Sequence, residues 1–476
     1  MLKKSLFFIS LVSVLSANSY EQWLKSQNNE YNSYKKSMDK EFSDMLKKDW
    51  ESFKAMSTPP VYKEPKPLVV PTVTKKYMVP VREIINSPKV VTKPILIKEI
   101  IDVKKVTPLK KDYKFNSIDL DFYGEKISIQ YDKKSLFELS RINKTTISNF
   151  WDNISKTDFN KLIKQINKQS DNLNLNDWAK YQLINKIGQK IYKNENTANL
   201  FTWFVLVKLN FDTKVGYSND KIYLLSTIKH SLYQIAFFKL NSKRYYVLTS
   251  SGRVGKIGNM YTYKGEYPKS KEKLSFVMDK NIKLYQDIKS RELNFTFKDI
   301  SYKIDAKYSN ELINFYKTFP QSDYNIYFNT KNSRILLNSL VKGLHPLVIG
   351  KSEIEAVNLL LRFTQTSFKY KTDQQQFNYE KVMFPEETIF YHYSDCEDRS
   401  IMFSYLVKEL LSLDVVGIKY KDHLATAVRF SSNVSGDGFI YKSKKYTISD
   451  PTYINASTGM AMPQYKNSKF EIISLR

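Results

Sequence analysis

Hydrophobic residues recur at helical spacing shortly after the start of this chain. Between residues 20 and 57 they fall within about half of a helical wheel, and charged residues occupy the rest. The apolar set is Tyr34, Met38, Phe42, Met45, Leu46, Trp50, Phe53 and Met56. The pattern predicts an amphipathic helix over 20–57. It is compatible with a coiled coil, a membrane-surface helix or a docked helix, and we favour docking or self-association.

The preceding residues, 1–19, have a different pattern. Lys3 and Lys4 precede an apolar run from Leu6 to Leu15, and small residues follow it. Such a run is too short to span a bilayer and is typical of a cleaved secretory signal, although a buried N-terminal helix is the alternative. No later stretch reaches the length of about 18 apolar residues that a span needs. We therefore expect an exported protein of the periplasm or cell envelope, soluble or peripheral after cleavage.

Residues 58–112 break both patterns, because nine of the fifteen prolines lie there. Prolines at this density exclude a helix and favour extended or polyproline-II chain. Lys is frequent and acids are few. The composition predicts a basic, semi-stiff linker that contributes edge strands or serves as a ligand segment for another envelope protein.

From residue 113 onward the hydrophobic pattern occurs twice. Three pairs of segments match in the same order, and the paired segments are Leu120–Asp132 with Leu293–Asp305, Asn176–Tyr192 with Ser352–Phe368, and Leu200–Tyr217 with Ile401–Tyr420. They indicate a strand pair, a helix, and a helix that leads into a strand. The pattern predicts two related α+β domains, 113–287 and 288–476.

The two copies differ in their reactive residues. Copy two contains Cys396, His423 and Asp450, whereas the corresponding parts of copy one lie near Asn194–Asn196, Lys221–Tyr223 and Thr249. Copy one also lacks the segment Tyr370–Asp395. The sequence therefore predicts that the chemistry belongs to the second domain, and that the first domain supports or shields it without keeping an open cleft.

Composition changes this interpretation only at two points. The net charge of +27 would suit nucleic acid, but export and the lack of a base-reading motif argue against that partner. A solvated basic surface, or peripheral contact with an anionic envelope surface, fits better. A single cysteine excludes an intramolecular disulfide, so Cys396 is either buried or used in catalysis.

The neighbours of Cys396 favour catalysis. The sequence SDCEDRSIMF places the thiol at the start of a predicted helix, after the N-cap candidate Asp395. Unpaired N–H groups and the helix dipole lower the pKa of a thiol there, and they also suit an oxyanion. Glu397 and Asp398 oppose this effect unless Arg399 or another base compensates them.

His423 and Asp450 complete the candidate site. His423 lies in the alternating segment YKDHLATAVRF, and Asp450 ends the predicted strand of KKYTISDPTY. Neighbouring strands would thus present an imidazole and its orienting carboxylate to the thiol, as nucleophilic catalysis by cysteine requires. His392, close to Cys396 in sequence, fits a loop or rim position.

The order DCEDRS, DHLATAV, YTISDPTY resembles that of the transglutaminase-like superfamily, over about residues 352–455. The resemblance implies a papain-like α+β fold and a bacterial transglutaminase-like cysteine peptidase of an exported subgroup. It implies Cys396 as nucleophile, His423 as general base and acid, and Asp450 as orienting carboxylate. It also suggests a side-chain donor for the oxyanion hole, with Gln365 and Gln376 as candidates. Gln189 matches Gln365 in copy one, so Gln365 is alternatively structural.

Three functions remain open at this point. We favour a thiol hydrolase acting on a protein or peptide substrate of the cell envelope. A transamidase would use the same chemistry with an amine in place of water, and a noncatalytic binding or assembly module is the third possibility. We expect no metal and no cofactor, because metal-ligand spacings and glycine-rich phosphate loops do not occur in the sequence.

Overall fold

A computed structural model describes residues 2–60, 66–73, 88–90, 114–255 and 257–475. The fold mixes helices with antiparallel sheets, which confirms the α+β class in its general form. Within those residues, no helix is both long and apolar enough to cross a membrane.

The N-terminal part contains one long helix and two short strands. They are α1 (Leu2–Leu46), β1 (Trp50–Lys54) and β2 (Met56–Ser57). Met38, Phe42 and Leu46 are buried, so the apolar face of α1 docks on the body. The prediction of a helix continuing to residue 57 was wrong, because residues 50–57 pair with strands of the first sheet instead.

The next part, 114–263, begins with a hairpin, continues with four helices and ends with five strands. The elements are β3 (Phe115–Phe122), β4 (Glu125–Asp132), α2 (Lys144–Ser155), α3 (Phe159–Asn172), α4 (Asp177–Tyr192), α5 (Glu195–Lys208), β5 (Thr213–Ser218), β6 (Lys221–Thr227), β7 (Ala236–Leu240), β8 (Lys243–Leu248) and β9 (Asn259–Tyr263). Asparagine side chains at 143, 176 and 194 accept backbone N–H groups and fix the starts of α2, α4 and α5.

The last part, 288–475, also begins with a hairpin and ends with five strands. Its elements are β10 (Ile288–Phe297), β11 (Ile300–Ser309), α6 (Asn310–Tyr316), α7 (Tyr324–Phe328), α8 (Arg334–Val348), α9 (Glu353–Thr366), β12 (Lys369–Tyr370), α10 (Asp373–Gln376), α11 (Pro385–Phe390), β13 (Tyr393–Ser394), α12 (Cys396–Leu406), β14 (Asp414–Lys419), β15 (Leu424–Arg429), β16 (Gly438–Tyr441), β17 (Lys444–Ile448) and β18 (Glu471–Ser474). A π-helical turn, Val407–Leu411, continues α12.

The two main sheets have the same internal strand order. In the first sheet the order is β9-β5-β6-β8-β7, and in the second it is β18-β14-β15-β17-β16, with all neighbours antiparallel. Each sheet follows a helix pair, α4 and α5 in the first case and α9 and α12 in the second. The first sheet has β1 and β2 added at its two edges. Because Ala55 alone separates these strands, the sheet must curl until its edges approach each other.

The hairpins agree with the matched sequence segments only in part. Leu120 pairs with Ile127 in the first hairpin, and Leu293 pairs with Ile304 in the second. Matching Leu120–Asp132 to Leu293–Asp305 residue by residue aligns Ile127 with Ile300 instead, and Ile300 is 56% exposed. The second hairpin is therefore longer, and its return strand is displaced from the register that the sequence match predicts.

Two described pieces of the proline-rich segment lie against the last part of the chain. Val73 N–H donates to the Ile454 carbonyl at 2.8 Å, and Val90 N–H donates to that of Lys351 at 2.8 Å. Both valines are buried. At the start of the predicted linker, Thr58 is also buried, and its N–H donates to the Ile235 carbonyl at 3.2 Å. Residues 61–65, 74–87 and 91–112 lie outside the described residues, and the described pieces are packed.

Candidate functional site

The candidate nucleophile begins a buried helix. Cys396 is the first residue of α12 and is 1% exposed. The preceding turn is held by Asp398, whose carboxylate accepts the N–H of Asp395 at 3.2 Å and that of Met383 at 2.9 Å. Asp398 thus fixes the start of the helix from within, in the manner of a capping box.

His423 and Asp450 meet at one edge of the second sheet. His423 immediately precedes β15 and Asp450 lies two residues beyond β17. These strands are antiparallel neighbours, so both residues lie at the same end of the pair. The imidazole Nε2 is 2.8 Å from Asp450 Oδ2, and both side chains are buried.

The loop after β17 holds the Asp450 carboxylate in place. Its Oδ1 accepts the N–H groups of Thr452 at 2.9 Å and Tyr453 at 3.3 Å. The carboxylate is therefore satisfied on both oxygens and suited to orient the ring and stabilise an imidazolium.

Helix α12 packs directly on this edge. Ser400, one turn after Cys396, donates its hydroxyl to the Leu424 carbonyl at 2.8 Å. Because residues four apart share a helix face, Cys396 faces the strand end that carries His423. Tyr465 stacks on the imidazole with 5.1 Å between ring centroids and donates to Asp422 at 2.9 Å. The structure therefore brings the three sequence-predicted residues to one locality.

The surroundings of the thiol favour its protonated form, contrary to the sequence expectation. Burial raises the pKa of Cys396 well above its usual value, and Glu397 and Asp395 raise it further. Among the described residues, the Sγ donates to Glu397 Oε2 at 3.1 Å and makes no hydrogen bond to the imidazole. Burial and these two carboxylates outweigh the opposing effects of Lys66 and of the helix N-terminus.

A lysine from the proline-rich segment lies beside the thiol. The Lys66 ammonium contacts Asp373 at 3.1 Å, Glu380 at 3.0 Å and Asp395 at 2.8 Å, and it also pairs with Glu397. Burial alone would lower the pKa of Lys66, but these carboxylates outweigh it and hold the pKa well above its usual value. Sequence reasoning left room for a compensating base near Glu397, but nothing in the composition of the proline-rich segment identified Lys66.

The same carboxylates have the geometry of a cation site. Oxygens of Asp373, Asp395 and Glu397 lie within 4.8 Å of one another, and all three residues are buried. Burial, and then Asp395, raise the pKa of Asp373 to about 8, although Lys66 opposes them. The sequence prediction of no metal site did not foresee this cluster. The ammonium of Lys66 is the cation that it holds in this structure.

Gln365 has a structural role in this conformation. Its amide nitrogen donates to the carbonyls of Asp450, Tyr453 and Ala456 at 3.1, 2.8 and 3.0 Å. It therefore braces the loop that carries Asp450, which favours the structural alternative over an oxyanion donor. Arg399 is also buried, and it donates to the Phe368 carbonyl at 2.8 Å. His392 is exposed, as expected for a rim residue.

The first sheet retains a cavity at the corresponding place. It has a volume of about 290 Å³ and lies where α4, α5 and the ends of β6 and β8 meet. Its lining includes Gln189, Asn196, Lys221, Thr249 and Arg253. The expectation that this part would keep no open cleft was wrong. Amide side chains in the cavity wall bond to other parts of the wall: Gln189 donates to the Asn185 side-chain oxygen at 2.9 Å, and Asn196 donates to the Asp220 carbonyl at 3.0 Å.

No family model, curated protein or solved structure matches this chain.

Proposed function

We propose that this protein is an exported thiol hydrolase that cleaves peptide or amide bonds through an acyl-enzyme on Cys396. The supporting observation is the hydrogen-bonded His423–Asp450 pair at the sheet edge on which the Cys396 helix packs. This arrangement supplies a nucleophile, a base and an orienting carboxylate. It also agrees with the order of motifs by which the sequence resembles the transglutaminase-like superfamily.

The reaction begins with proton transfer from the thiol to His423. Nε2 is bonded to Asp450, so Nδ1 is the nitrogen that accepts this proton. The thiolate attacks the carbonyl carbon, and N–H groups of the first turn of α12 receive the oxyanion. The C–N bond then breaks, and His423 returns its proton to the leaving amine.

Hydrolysis completes the cycle. His423 takes a proton from water, and the resulting hydroxide attacks the thioester carbon. The C–S bond breaks, the carboxylic acid leaves, and His423 returns the proton to the Cys396 sulfur. Before the first step, the thiol must exchange its bond to Glu397 for one to His423, because the resting thiol is protonated and buried.

An intact-mass experiment tests this function. Wild type and Cys396→Ala are incubated with envelope extract, acid-quenched and weighed. We expect an acyl adduct on wild type that hydroxylamine removes and that Cys396→Ala lacks. The adduct should form more slowly on His423→Ala. Two negative results together would exclude the hydrolase and favour a noncatalytic assembly module: no adduct on wild type, and no reaction of the Lys66→Met variant with a thiol-directed activity probe.

A transamidase is the second candidate, and one observation favours it. A primary ammonium, that of Lys66, lies among carboxylates next to the candidate nucleophile. An amine in that region could replace water in the second half of the reaction, once deprotonated. Incorporation of a dansylated primary amine into acceptor protein would identify this activity, and release of free acid without incorporation would identify hydrolysis.

We further propose that segments 113–287 and 288–476 are copies of one transglutaminase-like unit, the first of them without a thiol. The shared strand order and the helix pair before each sheet support this relation. The capped starts of α4 and α9, at Asn176 and Ser352, coincide with the matched sequence segments. Export to the periplasm or envelope rests on the signal pattern in residues 1–19.

A further inference from the structure

The acidic cluster beside Cys396 has a composition that its structural role does not explain. Asp373, Asp395 and Glu397 are all almost fully buried, and Glu380 adds a fourth, partly exposed carboxylate. Buried like charges oppose ionisation of one another, so such a cluster is costly unless a cation occupies it. An apolar first turn would stabilise α12 without this cost.

The cluster also has unused hydrogen-bonding capacity. Asp395 contacts the Lys66 ammonium through Oδ2, whereas its Oδ1 is buried with no hydrogen-bond partner among the described residues. An unsatisfied buried acceptor is unfavourable in a site that is only structural. It is expected where a second donor arrives with a ligand.

The segment that carries Lys66 is attached as a peptide ligand would be. Tyr370 donates its hydroxyl to the Pro67 carbonyl at 2.7 Å. Further along, Ile454 N–H donates to the Pro71 carbonyl at 2.9 Å, and Val73 N–H donates back to the Ile454 carbonyl at 2.8 Å. Main-chain pairing combined with a pocket for one side chain is a general mode of peptide recognition.

This segment runs across the candidate site. It starts in the carboxylates that flank Cys396 and ends at Ile454, four residues beyond Asp450. Between these anchors, Leu68 and Val69 are 67% and 79% exposed. Residues 66–73 therefore form an outer cover over the region between the candidate nucleophile and the orienting carboxylate.

We propose that Asp373, Asp395 and Glu397 form a binding subsite for the primary ammonium group of an extended peptide, and that Lys66 occupies it as an internal ligand. The inference rests on the proposed function only in that the bound peptide is then a substrate or product. A compact ammonium matches three converging carboxylates, whereas a planar guanidinium favours the bidentate fork of one carboxylate. The preferred ligand is thus a lysine-like side chain, and it competes with residues 66–73.

The direct test uses the full chain with Cys396→Ala, which lacks a side-chain nucleophile and so forms no acyl-enzyme. Lys66→Met is added to vacate the subsite while keeping an apolar stem. The probes are fluorescent peptides with the sequence of residues 64–73, one with lysine and one with norleucine at the position of Lys66. We expect the lysine peptide to bind at least about tenfold more tightly, as one charged hydrogen-bonded contact implies. Equal affinities, or no binding by a folded variant, would overturn the subsite.

A second measurement needs no substitution and covers the case in which the variant does not fold. Acetylation of wild-type lysines is followed by peptide mass spectrometry, with exposed Lys89 of the same proline-rich segment as the internal control. Lys66 should be acetylated at least about tenfold more slowly than Lys89, because its ammonium is buried and paired. Excess lysine peptide should accelerate acetylation of Lys66, because the peptide competes with Lys66 for the subsite. Equal rates, or acceleration by Ca²⁺ and by both peptides alike, would refute the assignment.

The outcomes also separate this proposal from the hydrolase. Selective binding of the lysine peptide without any acyl adduct on wild type would support the ammonium subsite and exclude the hydrolase. An acyl adduct without discrimination between the two peptides would support the hydrolase and exclude the subsite.

Discussion

The two sheet-containing parts share an architecture but differ in how deeply the residues at corresponding positions are buried. Cys396 begins α12, and Glu195 begins α5; His423 precedes β15, and Asp220 precedes β6. In the second part these residues are buried, whereas in the first part they are exposed. The fold therefore does not require burial at these positions.

The third position behaves in the same way. Asp450 lies two residues after β17 and is buried, whereas Ser250 lies two residues after β8 and is exposed. Both loops are nevertheless braced by a glutamine from the preceding helix pair. Gln182 of α4 donates to the Ser250 carbonyl at 2.8 Å, and Gln365 of α9 donates to that of Asp450 at 3.1 Å. The glutamine contact is therefore common to both parts, whereas the buried charged residues occur only at the candidate site of the second part.

Additional chain explains the difference in burial. The second part has the added segment Tyr370–Asp395, which supplies Asp373 and Glu380, and it is covered by residues 66–73. The first part has neither and retains a cavity of about 290 Å³. Burial raises the pKa of the Cys396 thiol, whereas Lys66, which lies in the covering segment, partly opposes that rise.

The largest effect is expected for substitutions at the first residues of α12 and α5, measured as the rate of acyl-adduct formation. Cys396→Ala should reduce acyl-adduct formation by at least about a thousandfold, because it removes the nucleophile. Glu195→Ala, at the first residue of α5, should leave the rate within about twofold, as expected for an exposed residue away from the chemistry. Intact mass spectrometry with an activated ester measures both. Equal losses in the two variants would contradict the division of roles between the parts.

The second prediction concerns the orienting carboxylate. In Asp450→Asn the amide would donate to Nε2 of His423, which moves the ring proton to Nδ1 and prevents that nitrogen from taking the thiol proton. We expect acylation to fall by about 10⁴-fold with little change in unfolding free energy. Ser250→Ala is the matched variant in the first part and should be silent. A small loss in Asp450→Asn would mean that Asp450 is only structural.

The sequence allowed much of the placement of this candidate site to be predicted, because each candidate residue lies at an element end that the local sequence indicates. The helix start at Cys396 and the strand after His423 are as the sequence predicts, but β15 is buried on both faces instead of alternating. The thiol pKa could not be predicted, since it depends on burial and on Lys66, which is distant in sequence. The strands at 50–57 were not predicted, because the spacing of Trp50, Phe53 and Met56 is also that of a helix face. These residues form strands because they pair with β9 and β7, which are distant in sequence.

The third prediction examines buried charge in the first part. Lys208 pairs with Asp39 of α1, and burial lowers the pKa of Lys208 to about 8 despite that partner. Asp39→Asn should cost about 3 kcal/mol in unfolding free energy at neutral pH, since it leaves a buried cation unpaired. Asp44→Asn, in an exposed pair with Lys47, should cost less than about 1 kcal/mol.

The pH dependence of the Lys208 contribution has a definite sign. The folded pKa lies below the usual value of 10.5, so between about 8 and 10.5 the unfolded chain holds a proton that the folded protein has lost. This group therefore makes the protein more stable as pH rises through that window. Urea unfolding at several pH values measures it. A wild-type contribution that declines with pH would contradict a buried Lys208.

The smallest effect belongs to the added segment of the second part. Glu386, on α11, is fully buried; its Oε1 accepts the Ser333 N–H at 2.6 Å, and its Oε2 has no partner among the described residues. Burial raises the pKa of Glu386 from 4.5 to about 6. Between these values the folded protein holds a proton that the unfolded chain has lost, so stability falls as pH rises, by about 2 kcal/mol in total.

Glu386→Gln should remove this pH dependence while keeping the bond to Ser333, because the glutamine oxygen still accepts. The matched control is Glu292→Gln on β10, where Asn294 and then Lys303 lower the pKa of a fully exposed carboxylate. Glu292 therefore titrates below this window, so replacing it should leave the stability curve from pH 4.5 to 6 as in wild type. Unfolding by urea at four pH values measures both variants. If Glu386→Gln keeps the wild-type slope, the pH dependence of this region lies in the carboxylates around Lys66, to which the added segment contributes Asp373, Glu380 and Asp395.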